Sequence, residues 1–159
     1  MKYIIREIQQ QDNLFIEQVI RTCLIEYQAN HEGTAWTDPN LGCFSKIYNS
    51  PGNKYWVVID ENDQVVGGTG IGGLTDTVCE LQKMYCLTEV RGKGISDELI
   101  NIALNYATKY YQRCYLETLD NMTRAIAFYH KHGFVKTDEQ IVTTDHYACN
   151  QHYIKELRK

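Results

Sequence analysis

Hydrophobic and polar positions change period several times along the chain, and each change marks an element. Over residues 2–8, Tyr3 and Ile5 alternate with Ile4 and Arg6, the two-residue period of a strand, and the polar run that follows reads as a turn. From Asp12, a suitable helix cap, Ile16, Val19, Ile20, Cys23, Leu24 and Tyr27 recur at three- and four-residue spacing. That spacing predicts a helix with one buried stripe. Residues 30–52 then lose all periodicity: they hold Pro39, Pro51 and a polar mixture around Trp36, with only the short run 44–48 as a helical turn or two. A loop of this length inside a compact domain usually carries function or moves.

Residues 55–60 read as a strand, 61–64 as a hairpin turn and 65–73 as the return strand. Gly67, Gly68, Gly70, Gly72 and Gly73 weaken that strand and suggest a bulge or a close backbone approach. Over residues 81–87, Leu81, Lys83, Tyr85 and Leu87 alternate with Gln82, Met84 and Cys86, a central strand packed on both faces. Ile95, Leu99, Ile100, Ile102, Ala103, Tyr106, Ala107 and Tyr110 restore the helical period. Residues 114–119 form a further strand. Asp120 or Asn121 would cap a helix carrying Ala125, Ile126, Phe128 and Tyr129, and Gly133 would end it. Two strands, at 134–135 and 149–157, close the chain around a turn-rich stretch at 138–145. The pattern predicts one α/β domain over residues 1–159 with a mixed sheet, without repeat or linker.

Composition narrows the class. A chain of 159 residues can bury roughly 70% of its unfolded surface in one core. It has no stretch of about 18 apolar residues to cross a membrane, and its N-terminus meets charge too early for a signal peptide. A cytoplasmic protein is expected. The cysteines at 23, 43, 79, 86, 114 and 149 show neither Cys-x-x-Cys nor paired-histidine spacing, so they read as reduced, buried residues rather than a metal site. A net charge of -4 without a basic run argues against nucleic acid and suits a cationic amine.

Between the central strand and the long helix lies Arg91-Gly92-Lys93-Gly94-Ile95-Ser96. Glycines at 92 and 94 permit positive φ and close approach of a ligand. The free N–H groups opening the helix, with Arg91 and Lys93 beside them, suit a diphosphate. The segment matches neither Gly-x-x-x-x-Gly-Lys-Ser/Thr nor Gly-x-Gly-x-x-Gly.

The segment resembles the acyl-CoA loop of the GNAT superfamily of N-acetyltransferases, Arg/Gln-x-x-Gly-x-Gly/Ala, through Arg91, Gly94 and Ser96, although serine departs from the last position. Residues 125–134, Ala-Ile-Ala-Phe-Tyr-His-Lys-His-Gly-Phe, are similar to the family's Ala-x-x-x-Tyr-x-x-x-Gly-Phe signature. Element order agrees over nearly the whole chain.

The resemblance implies a mixed, mostly antiparallel sheet flanked by helices, with a V-shaped splay between the strands at 80–87 and 115–119 and acetyl-CoA in the opening. Backbone groups of Met84, Tyr85 and Cys86 would pair with the pantetheine arm, and N–H groups from Gly92 to Ser96, including Lys93, Gly94 and Ile95, would hold the pyrophosphate. A backbone N–H near Tyr85 would polarise the acyl carbonyl. Tyr129 would protonate the departing thiolate. Glu80 would take the proton from the amine, with Glu117, Glu26 and His31 as rivals. Thr88 stands where the family often has proline, and Met122 where it has a cofactor-binding asparagine, a role Asn121 could assume. Asp97 and Glu98 would bring negative charge near the diphosphate unless they point aside. The acceptor pocket would be built from the first helix, residues 30–40 and the segment around His146. The strand at 149–157 would be an edge able to pair across a homodimer. The alternative is a non-catalytic module that keeps the fold and senses acyl-CoA.

Overall fold

A computed structural model describes residues 2–141 and 146–158; of the turn-rich stretch predicted at 138–145, residues 142–145 lie outside the described residues. The elements run β1 (Tyr3–Glu7), α1 (Asn13–Glu26), α2 (Phe44–Ile47), β2 (Lys54–Asp60), β3 (Val65–Gly73), β4 (Val78–Cys86), α3 (Ile95–Thr108), β5 (Arg113–Thr118), α4 (Thr123–Lys131), β6 (Val135–Lys136) and β7 (Gln151–Glu156). Short 3-10 turns occupy Gln10–Asp12, Ala35–Thr37 and Thr88–Val90. The strands form one sheet in the order β1-β2-β3-β4-β5-β7-β6. Every pairing is antiparallel except β4 with β5, whose parallel connection runs through α3.

β4 and β5 pair only where Val78, Cys79 and Glu80 meet Arg113, Cys114 and Tyr115. Beyond Glu80 the two strands part, which is the splay expected from the resemblance. The distortion on β4 is local. Lys83 has φ +51, and the β3–β4 register slips by one residue between Gly68–Tyr85 and Gly70–Gln82, so β4 carries a bulge. Strict alternation through residues 81–87 is therefore corrected: Cys79 and Leu81, then Met84 and Cys86, pack on the α3 side, while Tyr85 packs with the residues of α1. One inserted residue reverses the facing of everything after it. The Tyr55 hydroxyl donates to the Lys83 carbonyl at 2.7 Å and fixes the bulge from below.

Each face of the sheet has its own core. Ile16, Val19, Ile20, Cys23 and Leu24 of α1 pack with Phe44, Tyr48, Tyr55 and Val57 on one side; Leu99, Ile100, Ala103 and Ala107 of α3 pack with Trp56, Ile71, Leu81 and Phe134 on the other. The helical stripes read from the sequence are those that face the sheet.

Four local expectations change. Asp12 does not cap α1 through its side chain; it is buried, receives Arg6 at 2.7 and 3.0 Å and the Gln9 N–H at 2.8 Å, and so ties the turn to β1. Neither Asp120 nor Asn121 caps α4, whose N-cap is Met122. Cys43 is exposed, whereas Cys23, Cys79, Cys86 and Cys114 are buried. The segment 149–157 is not the outermost strand, because β7 lies between β5 and β6; the two-residue β6 covers only Tyr153 and Ile154 on its outer side. Gly133 does end α4 as predicted: at φ +90 it lets its own N–H reach His130 O and the Phe134 N–H reach Tyr129 O. Among the described residues no helix is long and apolar enough to cross a membrane.

Candidate active site

The gap between β4 and β5 opens into a cleft of about 950 Å³, walled by the C-terminal end of α1, the loop at 34–38, the 88–97 turn, α4 and the segment at 146–149. Glu80, Met84, Tyr85, Cys86, Arg91, Gly92, Gly94, Ser96 and Tyr129 all line it, so the fold gathers most of the predicted site. Lys93, Ile95 and Asn121 are not among the lining residues. Lys93 is exposed on the turn, Ile95 sits in the α3-side core, and the Asn121 amide donates to Tyr27 O at 3.0 Å. The Asn121 side chain is thereby committed away from the cleft.

The outer half of the cleft is a phosphate-sized turn. Gly92 and Gly94 have φ +76 and +81, and a Cβ at either would meet nothing within 4 Å, so the crest of the turn is open to a ligand. Gly94 is the N-cap of α3, whose first N–H groups point into this space. Arg91 departs from its expected role. Its guanidinium is held by Glu26 at 2.6 and 2.8 Å, and its Nε donates to Cys86 O at 2.9 Å. That hydrogen bond keeps Arg91 above and Glu26 below its ordinary pKa. Arg91 therefore clamps the turn to α1 and β4, and Glu26 is removed as a rival base. The Cys86 carbonyl, which also accepts from Cys23 Sγ at 3.5 Å, has no acceptor site left for a pantetheine amide. Asp97 points aside, toward Lys131 at 2.9 Å and His132 at 2.7 Å on α4, and these partners lower its pKa.

Tyr129 projects from α4 with its ring edge-on to Phe134, centroids 6.0 Å apart. The residue lines the cleft. Burial raises its pKa, so the phenol stays protonated and keeps a proton to donate.

The inner half is lined by charge. Glu80 stands where the strands begin to part, half-buried, its Oε1 accepting from Gln82 Nε2 at 2.7 Å. Burial raises its pKa; the Gln82 bond opposes this and the charge of Glu117 adds to it. Glu117 lies across the opening on β5, within 3.1 Å of both Tyr115 Oη and His152 Nδ1. His31, exposed and bonded to Glu32 O, is outside the cleft.

Asp38, Lys83, Cys149 and His152 were not singled out by the sequence. Asp38 receives Lys83 Nζ at 2.8 Å and His146 Nε2 at 2.7 and 2.9 Å, which joins the loop, the bulge and the C-terminal segment into one roof. Burial would raise Asp38, but the His146 hydrogen bond and Lys83 outweigh it and its pKa lies below the ordinary value. Asp38 and His146 are 108 positions apart, and no spacing signal links them. The end of α1, Thr34, Ala35 and Asp38 of the loop, and His146 line one wall of the cleft.

The match to known proteins follows this geometry. Residues 16–134 match the model of the acetyltransferase (GNAT) family. An N-acetyltransferase of Escherichia coli K12, the uncharacterised YjgM, is 40% identical over 97% of this chain and 95% of its own. The crystal structure of a GNAT-family acetyltransferase from Staphylococcus aureus Mu50 superposes with a TM-score of 0.88 at 20% identity, covering 99% of this chain and 100% of that one. Spermidine N-acetyltransferase from Vibrio cholerae, in complex with CoA and spermine, gives a TM-score of 0.70 at 20% identity over 98% and 95%. With a family model spanning the strand, turn and helix around the cleft and a close relative along nearly its full length, this chain belongs to the GNAT acetyltransferase family.

Proposed function

We propose that the chain, working as one unit over residues 1–159, moves an acetyl group from acetyl-CoA directly to a primary amine of a small molecule or peptide. The observation that carries this reading is the continuous run from the unpaired side of β4, through the bulge at Lys83, into the left-handed Gly92–Gly94 turn at the head of α3. That run offers strand-like partners to a pantetheine arm and N–H groups to its diphosphate. Met84 and Tyr85, with the Cys86 N–H, supply the first; Gly92, Lys93, Gly94, Ile95 and Ser96 supply the second through their backbones. A β4 N–H beside Tyr85 stabilises the tetrahedral oxyanion. Glu80 deprotonates the entering ammonium, and Tyr129 returns a proton to the CoA sulfur. The CoA and spermine held by the Vibrio cholerae relative support both substrates. Six free thiols suit a reducing compartment, the cytoplasm.

Thermal unfolding with acetyl-CoA, CoA and ATP in separate samples tests the reading. A ligand at ~100 times its Kd adds about 2.7 kcal/mol, a rise on the order of 5 to 10 °C for a domain of this size. Acetyl-CoA and CoA are expected to give that rise and ATP none; no rise with either thioester or thiol removes the cleft as a CoA site.

Replacing Glu80 with glutamine is expected to lower kcat by roughly tenfold or more. The base works only when ionised, so wild-type activity falls as pH drops through its folded pKa. Because that pKa is raised above the ordinary 4.5 by burial, the acid limb of the pH profile lies above the usual carboxylate range. Persistence of the same limb in Glu80→Gln would assign it to another group.

A further inference from the structure

A lysine lines the end of the cleft that receives an amine. Lys83 shares the inner half with Glu80 and Glu117, and its side chain is only 16% exposed. Taking an ammonium out of water costs free energy that a single ion pair does not always offset. A cation there also repels the ammonium of an entering acceptor. The other arginines and lysines along the walls are placed elsewhere: Arg91 is held by Glu26, Lys131 by Asp97 beside the glycine turn, and Arg124 lies in the first turn of α4.

The backbone of Lys83 is unusual as well. At φ +51 it occupies the left-handed region that a residue other than glycine rarely adopts, and it does so at the bulge that interrupts the β3–β4 register. Such conformations persist where the surroundings over-determine them, and they gather at ligand sites. Two partners fix this one: the Tyr55 hydroxyl on the Lys83 carbonyl at 2.7 Å, and the Asp38 carboxylate on Nζ at 2.8 Å. Asp38 also shows what this corner of the cleft binds, since one carboxylate takes both Lys83 Nζ and His146 Nε2. A lysine ammonium has three N–H donors, and the bond to Asp38 uses one of them. The other two suit a second carboxylate, one carried by the acceptor.

We propose that the acceptor is an aminocarboxylate, a free amino acid whose amine is delivered to Glu80 and whose carboxylate is held by Lys83, an assignment that rests on the transferase reading above. Lys83 lies three residues beyond Glu80 on β4, roughly 10 Å of strand, so the two ends of such a molecule meet opposite charges on one wall. Glu80 and Glu117 at the fork repel the carboxylate and so exclude the reversed orientation. Asp38 is the counter-charge that offsets part of the lysine's pull, which keeps the product from being held after transfer.

The test uses the full chain with acetyl-CoA and three acid–amide pairs of increasing length: alanine and alaninamide, 4-aminobutanoate and 4-aminobutanamide, 6-aminohexanoate and 6-aminohexanamide. For at least one pair, kcat/KM for the acid is expected to exceed that for the amide by about tenfold or more. Comparing this ratio between wild type and variant on the same pair cancels differences in amine basicity. Lys83→Met keeps the stem, removes the charge and is expected to lower the ratio by about tenfold; Lys83→Gln takes its place should that variant fail to fold. Asp38→Asn is expected to raise the ratio several-fold, because the ammonium loses its counter-charge. A strut that only braces the roof gives no such opposition, since breaking it from either side lowers turnover of acid and amide alike. Amides preferred in the wild type, or a ratio that neither variant moves, overturn the aminocarboxylate assignment while the transferase reading stands. A wild type that acetylates none of the six acceptors brings down both.

Discussion

Tyr129→Phe is expected to lower kcat by about 10²-fold while acetyl-CoA raises the unfolding midpoint as it does in the wild type. The exchange removes one oxygen and keeps the ring that packs edge-on to Phe134, so the wall of the cleft is preserved. Burial raises the phenol's pKa, and a CoA thiolate has a pKa near 8.5, so the proton moves only as negative charge develops on sulfur beside it. Without the hydroxyl the thiolate departs bare. The loss therefore falls on kcat and not on binding, and it is the result that separates an enzyme from a module that only holds acyl-CoA. An unchanged kcat takes Tyr129 out of the mechanism; a vanished midpoint shift makes it a binding residue.

The second large effect concerns the strand that supports the bulge. Gly68→Val is expected to cost about 3 kcal/mol and to lower the midpoint by roughly 6 to 12 °C. A Cβ at Gly68 would lie 2.6 Å from the Tyr55 ring and 2.8 Å from the Trp56 carbonyl, both in the centre of the sheet. Valine adds two methyl groups beyond that, and the Tyr55 hydroxyl that holds the Lys83 carbonyl is displaced with its ring. Acetyl-CoA affinity should fall in the same variant, since the bulge shapes the binding strand. Gly92→Ala is the contrast: its Cβ meets nothing within 4 Å, and its cost, about 1 kcal/mol, comes from φ +76 alone. A Gly68→Val protein that unfolds at the wild-type temperature would show that the glycine face is not close-packed.

The legible parts of the site were those written in contiguous residues. The alternation and glycine turn at 81–96 and the spacing from Ala125 to Phe134 specify a strand, a diphosphate-sized turn and a helix ending at Gly133, and each is where the pattern placed it. Other features depended on a partner far along the chain. Arg91 read as a phosphate cation because Glu26, 65 positions away, carries no mark of its destination. Asn121 and Asp12 read as caps because their residue types favour caps, yet tertiary partners, Tyr27 O for one and Arg6 for the other, took the side chains first. The strand at 149–157 read as an edge although a strand at 134–135 was expected too, because nothing in either stretch says that the two pair.

The sequence by itself determined which segments become helix, strand or turn, since periodicity and backbone conformational preference act over a few residues. It also determined where a diphosphate could approach, because glycine at 92 and 94 is a local property. Tertiary structure alone decided the chemistry around that turn. The slip at Lys83 reversed the facing of β4, the parting of β4 from β5 opened the cleft, and packing brought Asp38 to His146 and Glu117 to His152. These depend on which side chains meet across the sheet, and such meetings are fixed by the packing of the whole chain rather than by any stretch of it.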